Sequence, residues 1–175
     1  MKHYVDRDRT QSLLRLVPDL FTSFYKNVLY IGARNNRFDY SKEFKEAGIE
    51  ISVLEIFPEN VNFLRTLPGI TVIQGDVRSC PITEHDVIFW WHGPEHIKEE
   101  ELPMTVNRLG QKTKTLILGC PWGKRTQSAI YGNVHEIHQA HYGYEIFEKM
   151  GFTVECLGEK DVYGSNITSV KSLKI

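Results

Sequence analysis

Cysteine is scarce and unpaired. The 175 residues hold three, Cys80, Cys120 and Cys156, an odd number at wide spacing, which argues against a disulfide framework or a zinc finger built on paired cysteines. A reducing, cytoplasmic setting is the expectation. Long apolar runs are lacking too: none approaches the roughly 20 residues that span a bilayer, and Met1 to Thr10 are charged where a secretory signal would be apolar. Neither membrane insertion nor secretion is expected. Nor does one charge predominate, since 21 basic residues against 22 acidic ones leave a formal net charge of −1. No global positive field is on hand to gather nucleic acid or an anionic membrane. Repeats, low-complexity tracts and linkers are also missing. What is there, 41% apolar and 25% charged residues, suffices for one sizeable core and is too short for two ordinary domains. Residues 1–175 therefore read as a single domain.

Residues 1–26 form an N-terminal extension with apolar positions at Leu13, Val17, Leu20, Phe21 and Phe24 on one helical face. Pro18 interrupts it, which predicts two short helices joined near Val17. From Asn27 the pattern changes to short apolar runs separated by polar stretches of helical character, the signature of repeated strand-helix units. The predicted strands are Val28 to Ile31, Ile51 to Leu54, Thr71 to Ile73, Val87 to Trp91 and Thr115 to Leu118. Tyr40 to Ala47, Glu59 to Leu64 and Ile97 to Leu109 read as helices, the last broken or kinked by Pro103. A further helix ends at Met150. Phe152 to Leu157 and Ile167 to Ile175 have no room for a helix between them, so they should pair antiparallel at one end of an otherwise parallel sheet. The expected architecture is a Rossmann-like α/β three-layer sandwich with a seven-stranded mixed sheet.

In such a sheet the ligand lies at the carboxyl ends of the strands, where the strand order reverses. The first strand runs into Tyr30-Ile31-Gly32-Ala33-Arg34-Asn35-Asn36. Gly32 permits a tight turn and Asn36 tolerates a left-handed conformation, but the dinucleotide fingerprint needs further glycines, and Arg34 and Arg37 stand where they would be. A nicotinamide or flavin dinucleotide is disfavoured. The second strand ends in Glu55, about 20 residues on, where a carboxylate can accept from both ribose hydroxyls of an adenosine-containing ligand. The third runs into Gly75-Asp76-Val77, placing a second carboxylate where it can accept from an exocyclic amine. An exposed acid and an ordinary turn would account for either one alone; the pair on successive strand ends carries the argument. The fourth strand leads into His92-Gly93-Pro94-Glu95-His96 at the mouth of the sheet, and the fifth into Cys120-Pro121-Trp122-Gly123. A long, weakly periodic stretch after Gly123 has the length of a lid or binding loop.

From Asn27 to Ile175 these features resemble the class I, Rossmann-like S-adenosylmethionine-dependent methyltransferases. The closer similarity is to small stand-alone members of unassigned substrate, with a similar His-Gly-Pro-Glu-His after the fourth strand and a similar Cys-Pro-Trp-Gly followed by Gly132-Asn133, Glu136, His138, Phe147 and Gly151-Phe152. The resemblance implies S-adenosylmethionine as cofactor, with Gly32 facing its methionine part, Glu55 its ribose, and Asp76 with Val77 its adenine. Tyr30 departs from the acidic residue usual two positions before the first glycine, and Arg34 and Asn36 replace the second and third glycines. An eroded turn of this kind also leaves open a non-catalytic Rossmann-like binding or scaffold module.

Methyl transfer from a sulfonium is an in-line displacement, so the protein's work is alignment and exclusion of water. The aromatic faces of Tyr30, Trp91 and Trp122 suit a positive sulfonium. His92 is the first candidate base because an imidazole titrates near neutrality; Glu95 and His138 come next. The acceptor stays unidentified, a small molecule fitting a chain with little room for a recognition domain, and the oligomeric state is open, a homodimer included. Lys112, Lys114, Lys124 and Arg125 flank the fifth strand as a candidate basic rim. No Asn-Pro-Pro-Tyr type box follows the fourth strand, and nucleic acid is not indicated. His135, Glu136, His138 and His141 fall within seven residues, with His92 and His96 as candidates to lie opposite them, yet on a helix His135 and His141 would point roughly 120° apart, so no metal is expected.

Overall fold

The computed structural model describes residues 4–34 and 38–173. Asn35, Asn36 and Arg37 of the glycine turn, and the last two residues of the expected final strand, lie outside them. Seven strands form one sheet: β1 (Asn27–Ile31), β2 (Glu50–Glu55), β3 (Ile70–Gln74), β4 (His85–Trp91), β5 (Thr113–Pro121), β6 (Thr153–Leu157) and β7 (Asn166–Ser172). Their order is β3-β2-β1-β4-β5-β7-β6. β1 to β5 pair in parallel, while β7 runs antiparallel to β5 and β6 and is wedged between them. The mixed sheet expected from the sequence is present, with β7 as its reversed strand.

Both faces of the sheet are covered, which is why the strands read as continuous apolar runs. Along β4, Val87, Phe89 and Trp91 enter one cluster with Val28, Tyr30 and Val53, while Ile88 and Trp90 enter the other with Leu29, Ile31 and Leu116. The two-residue period of a strand thus divides one apolar sequence between two cores. The first core is closed by Leu13 of α1 (Tyr4–Leu16), Phe44 of α2 (Ser41–Glu46) and Leu64 of α3 (Pro58–Leu64); the second by Leu102, Val106 and Leu109 of α4 (Leu102–Gly110) and Phe147 of α5 (Glu145–Lys149).

Two helical expectations need correction. Among its described residues the N-terminal extension has one helix, α1, which ends at Leu16; residues 17–26 are turns and irregular chain. A residue ahead of proline is pushed out of helical backbone, and Val17 and Leu20 still reach the core from the turns. The segment expected as a helix from Ile97 starts later, as a 3-10 turn at Glu99–Glu101 and then α4. Pro103 occupies the first turn of α4, where its missing N–H would have had no helical partner, so it starts the helix and kinks nothing.

The chain runs from β1 outward to β2 and β3, then crosses to β4 on the other side of β1. The order therefore reverses between β1 and β4, and the loops leaving those two strands diverge over a crevice at the carboxyl edge.

Candidate cofactor and acceptor site

That crevice is a cavity of about 450 Å³, within the roughly 300–1,000 Å³ typical of small-molecule sites. Nine candidate residues line it: Tyr30, Gly32, Glu55, Asp76, Val77, Trp91, His92, Glu95 and His138. The strand ends bring the first five together. Gly32 N–H donates to Leu54 O at 2.9 Å and Gly75 N–H to Glu55 O at 3.0 Å, which extends the ladder and sets the three acidic or glycine turns side by side. Gly32 adopts φ 79°, a left-handed conformation that a side chain resists, and among the described residues, its chain neighbours aside, no atom lies within 4 Å of the position a Cβ would take. The backbone there is open to a ligand.

Glu55 is 4% exposed and its Oε1 accepts from Phe57 N–H at 2.8 Å. Burial pushes its carboxyl up to about 7, against the pull of the Phe57 and Ile56 amides, and the nearby Glu136 carboxylate adds to the rise. Asp76 differs in kind. Its Oδ1 accepts from Arg78 N–H at 2.8 Å, its Oδ2 accepts from Arg78 Nη2 at 2.6 Å, and the same guanidinium reaches Glu101 Oε1 at 3.0 Å. The bond to Arg78, opposed by partial burial, holds the Asp76 carboxyl below the usual range. An amine offered to Asp76 must share it with Arg78, a partner the sequence reading did not anticipate. Arg108 reinforces the same turn by donating to the carbonyls of Val77 and Cys80.

Arg78→Ala is expected to lower stability by about 0.5–1 kcal/mol near neutral pH, the range for a half-exposed ion pair. Because the folded Asp76 carboxyl lies below its unfolded value, this stabilisation is present above the ordinary aspartate range of roughly 3.9 and is lost as the pH falls through the folded value. Urea unfolding of the variant and the parent should therefore converge in acid.

Of the aromatic candidates, Tyr30 and Trp91 border the cavity but are almost wholly buried. Tyr30 packs edge-on to Phe38 at 4.9 Å between centroids, and Trp91 stacks on Phe89 at 5.3 Å. Trp122 does not line the cavity among the described residues; it packs against the α4/α5 core, its ring 6.4 Å from Tyr144. Of the four residues of the candidate basic rim, Arg125 alone borders the cavity, its guanidinium 4.0 Å over the Tyr163 ring. Lys114 lies at the opposite edge of the sheet, 2.6 Å from Asp86.

His92 leaves β4 with φ 49°, its N–H bonded to Gly119 O at 2.8 Å. This left-handed step starts the turn that returns Glu95 to the cavity. Arg9 Nη1 lies 3.2 Å from His92 Nε2. Since a guanidinium only donates, Nε2 accepts and Nδ1 carries the proton, facing Glu95 Oε1 at 3.5 Å. Glu95 is 3% exposed; burial raises its carboxyl, but the His92 bond and the neighbouring His96 and His92 rings outweigh burial and hold it low. Burial lowers the His138 imidazole.

Residues beyond the candidate set also line the cavity: Arg9 from α1, Arg34 after β1 and Glu136, which joins Arg125 and His138 from the segment after β5. That segment does lie over the site. Arg34 Nη1 and Glu136 Oε2 pair at 3.2 Å, joining the β1 turn to the covering segment. Arg34 and Glu136 both line the cavity, so their ion pair forms part of its wall. The charged Arg9 on an amphipathic helix was the available sequence signal, but nothing in the sequence aims α1 at the strand ends.

No family model matches the chain and no curated protein matches it. Solved structures share its fold. The N-methyltransferase NodS of Bradyrhizobium japonicum WM9 superposes with a TM-score of 0.68 at 11% identity, over 99% of each chain. The methyltransferase domain of bacterial CtHen1 gives 0.66 at 18% identity, over 97% of this chain and 100% of that one. A SAM-dependent methyltransferase from Archaeoglobus fulgidus gives 0.61 at 18% identity, over 94% of each. The architecture is that of the Rossmann-like methyltransferase fold.

Proposed function

We propose that this protein is an S-adenosylmethionine-dependent methyltransferase, acting on an acceptor still to be identified. The observation that carries the reading is the pairing of the left-handed Gly32 turn with the buried Glu55 on the adjacent strand end, over a cavity of about 450 Å³, in a fold shared with solved methyltransferases. When bound, the cofactor supplies an electrophilic methyl group on a sulfonium. Ionised Glu55 accepts from the ribose hydroxyls, Gly32 lets the backbone come close to the methionine part, and the Asp76-Val77 turn, braced by Arg78 and Arg108, borders the adenine. Tyr30 and Trp91 present apolar walls.

His92, Glu95 and His138 occupy the β4 side of the same cavity, where an acceptor would sit. His92 serves as the base once its Nε2 is released from Arg9, with Glu95 holding the opposite ring nitrogen in the right tautomer. The covering segment after β5 and Arg9 keep the reacting groups from water, which supports a compact acceptor. Among the described residues no helix is long and apolar enough to cross a membrane, and the free thiols of the three cysteines suit the cytoplasm.

Calorimetric titration of the full chain with S-adenosylmethionine and with its demethylated product tests the reading. Low-micromolar affinity for both is expected. Silence with both would replace it with a non-catalytic module on the same fold.

A further inference from the structure

Three side chains on the β4 side of the cavity, Glu95, His96 and His138, each offer a ligand atom, and these atoms lie within 4.8 Å of one another. The sequence offers His96 opposite the His135–His141 group, but a helical spacing of that group argues against a metal, and Glu95 is not in that set. His138 comes from an irregular stretch beyond a 3-10 turn (Val134–Glu136), and its neighbours in space arrive from the turn after β4. The His96 and His138 rings meet edge to face at 5.0 Å.

What sets this cluster apart from an accidental one is how each side chain is held. His96 Nδ1 is 3.3 Å from Ile137 O, and His138 Nδ1 is 2.7 Å from Arg125 O. A carbonyl only accepts, so both protons sit on Nδ1 and each Nε2 keeps its lone pair. Glu95 Oε1 faces His92 Nδ1, while Glu95 Oε2 is buried with no hydrogen-bond partner. Every member is thus oriented through one atom while another is left over: two imidazole lone pairs and one carboxylate oxygen. A carbonyl or carboxylate on the far atom of a ligand is the usual outer-shell arrangement of a metal site, and an orphaned buried carboxylate oxygen is costly unless something positive meets it.

We propose that Glu95, His96 and His138 form a site for one divalent first-row transition-metal cation, of the Mn²⁺ to Zn²⁺ series. Two imidazoles and one carboxylate suit that series better than Ca²⁺ or Mg²⁺, which prefer all-oxygen shells. Bonds of about 2.0–2.2 Å call for small rotations of side chains already within reach. Three protein ligands leave coordination positions free, the pattern of a metal that handles a ligand and not of one that staples a fold, and all three ligand residues line the cavity. The site shares Glu95 and His138 with the acceptor side of the proposed active site but is independent of methyl-donor binding, in which Glu55 and Gly32 take part and these three ligands do not.

The test is calorimetric titration of chelator-treated full-length protein with MnCl₂ and with ZnCl₂, without methyl donor, alongside the visible spectrum of the Co²⁺ form. One equivalent should bind, His96→Asn and His138→Asn should each weaken binding by about 100-fold, and the Co²⁺ bands should change with either. Glu95→Gln, which keeps the side-chain volume, should weaken binding similarly, and His141→Asn should bind as the parent does. Circular dichroism confirms that each variant is folded. Absence of binding by all three cations overturns the proposal, as does affinity unchanged in both His96→Asn and His138→Asn. Loss of methyl-donor binding with metal binding intact would instead count against the methyltransferase reading alone.

Discussion

Glu55→Ala weakens binding of the demethylated cofactor product by roughly 5- to 150-fold, the equivalent of about 1–3 kcal/mol for removing a charged hydrogen-bonding partner. The expectation follows from placement: Glu55 ends β2 beside the Gly32 turn, lines the cavity and is nearly without access to solvent, so a ligand there meets its carboxylate with little competition from water. The same burial makes the effect depend on pH. Burial lifts the carboxyl to about 7, whereas accepting from two hydroxyls requires the ionised form. Product affinity should therefore rise with pH up to about 7 and level off above it, falling about tenfold per unit on the acid side. Glu55→Gln should flatten that dependence. In the free protein the folded carboxyl keeps its proton to about 7 while the unfolded one releases it near 4.5. The unfolded state then binds fewer protons in that window, so stability falls as pH rises through it, and the Gln variant should lose this slope. Calorimetry and urea unfolding between pH ~5 and ~8 measure both.

Gly93→Ala is the substitution expected to damage the fold most sharply for its size. A Cβ at Gly93 would fall far inside contact distance of Trp90 Nε1 and Cδ1, and Trp90 is locked in the core among Leu29, Leu118 and Phe147. Overpacking of this kind costs about 1–3 kcal/mol, and a chain of this length loses about 2–4 °C in Tm per kcal/mol. Because Gly93 lies between His92 and Glu95, the shift should reach the site as well, and metal and product affinities should fall together. Gly119→Ala meets Trp91 in the same way from β5. Gly110→Ala, whose Cβ would stand 3.3 Å from the flexible tip of Leu173, should stay within about 0.5 kcal/mol of the parent. Thermal unfolding of the three variants distinguishes these outcomes.

The sheet was legible because strand burial is written locally: Val87 to Trp91 is apolar throughout, and only a strand covered on both faces asks for that. The reversed β7 followed from the short distance between Leu157 and Ile167, which no crossover helix can bridge. Pro18 is an interruption, though no second helix follows it, whereas Pro103 opens α4 and interrupts nothing, because a proline's effect depends on whether it falls inside a helix or in its first turn, which composition does not say. At the site, strand ends marked Glu55 and Asp76, since topology alone places them. Pairings across distant segments were out of reach: Arg34 with Glu136, Arg9 with His92, and His138 with Glu95 and His96 join parts of the chain whose approach is set by the path of an irregular segment. Arg78 beside Asp76 was near in sequence and still missed, because a Gly-Asp turn does not show whether its carboxylate points to a ligand or to a neighbouring guanidinium.

A crystal structure of the protein grown with the demethylated cofactor product is the most direct measurement of the central claim. The nucleoside should lie over the ends of β1 and β2, with its ribose hydroxyls about 2.6–3.2 Å from the Glu55 carboxylate and Gly32 against the amino-acid portion. Density elsewhere on the molecule, or a cavity that takes up only solvent at saturating ligand with the Arg34–Glu136 pair unmoved, would contradict the account.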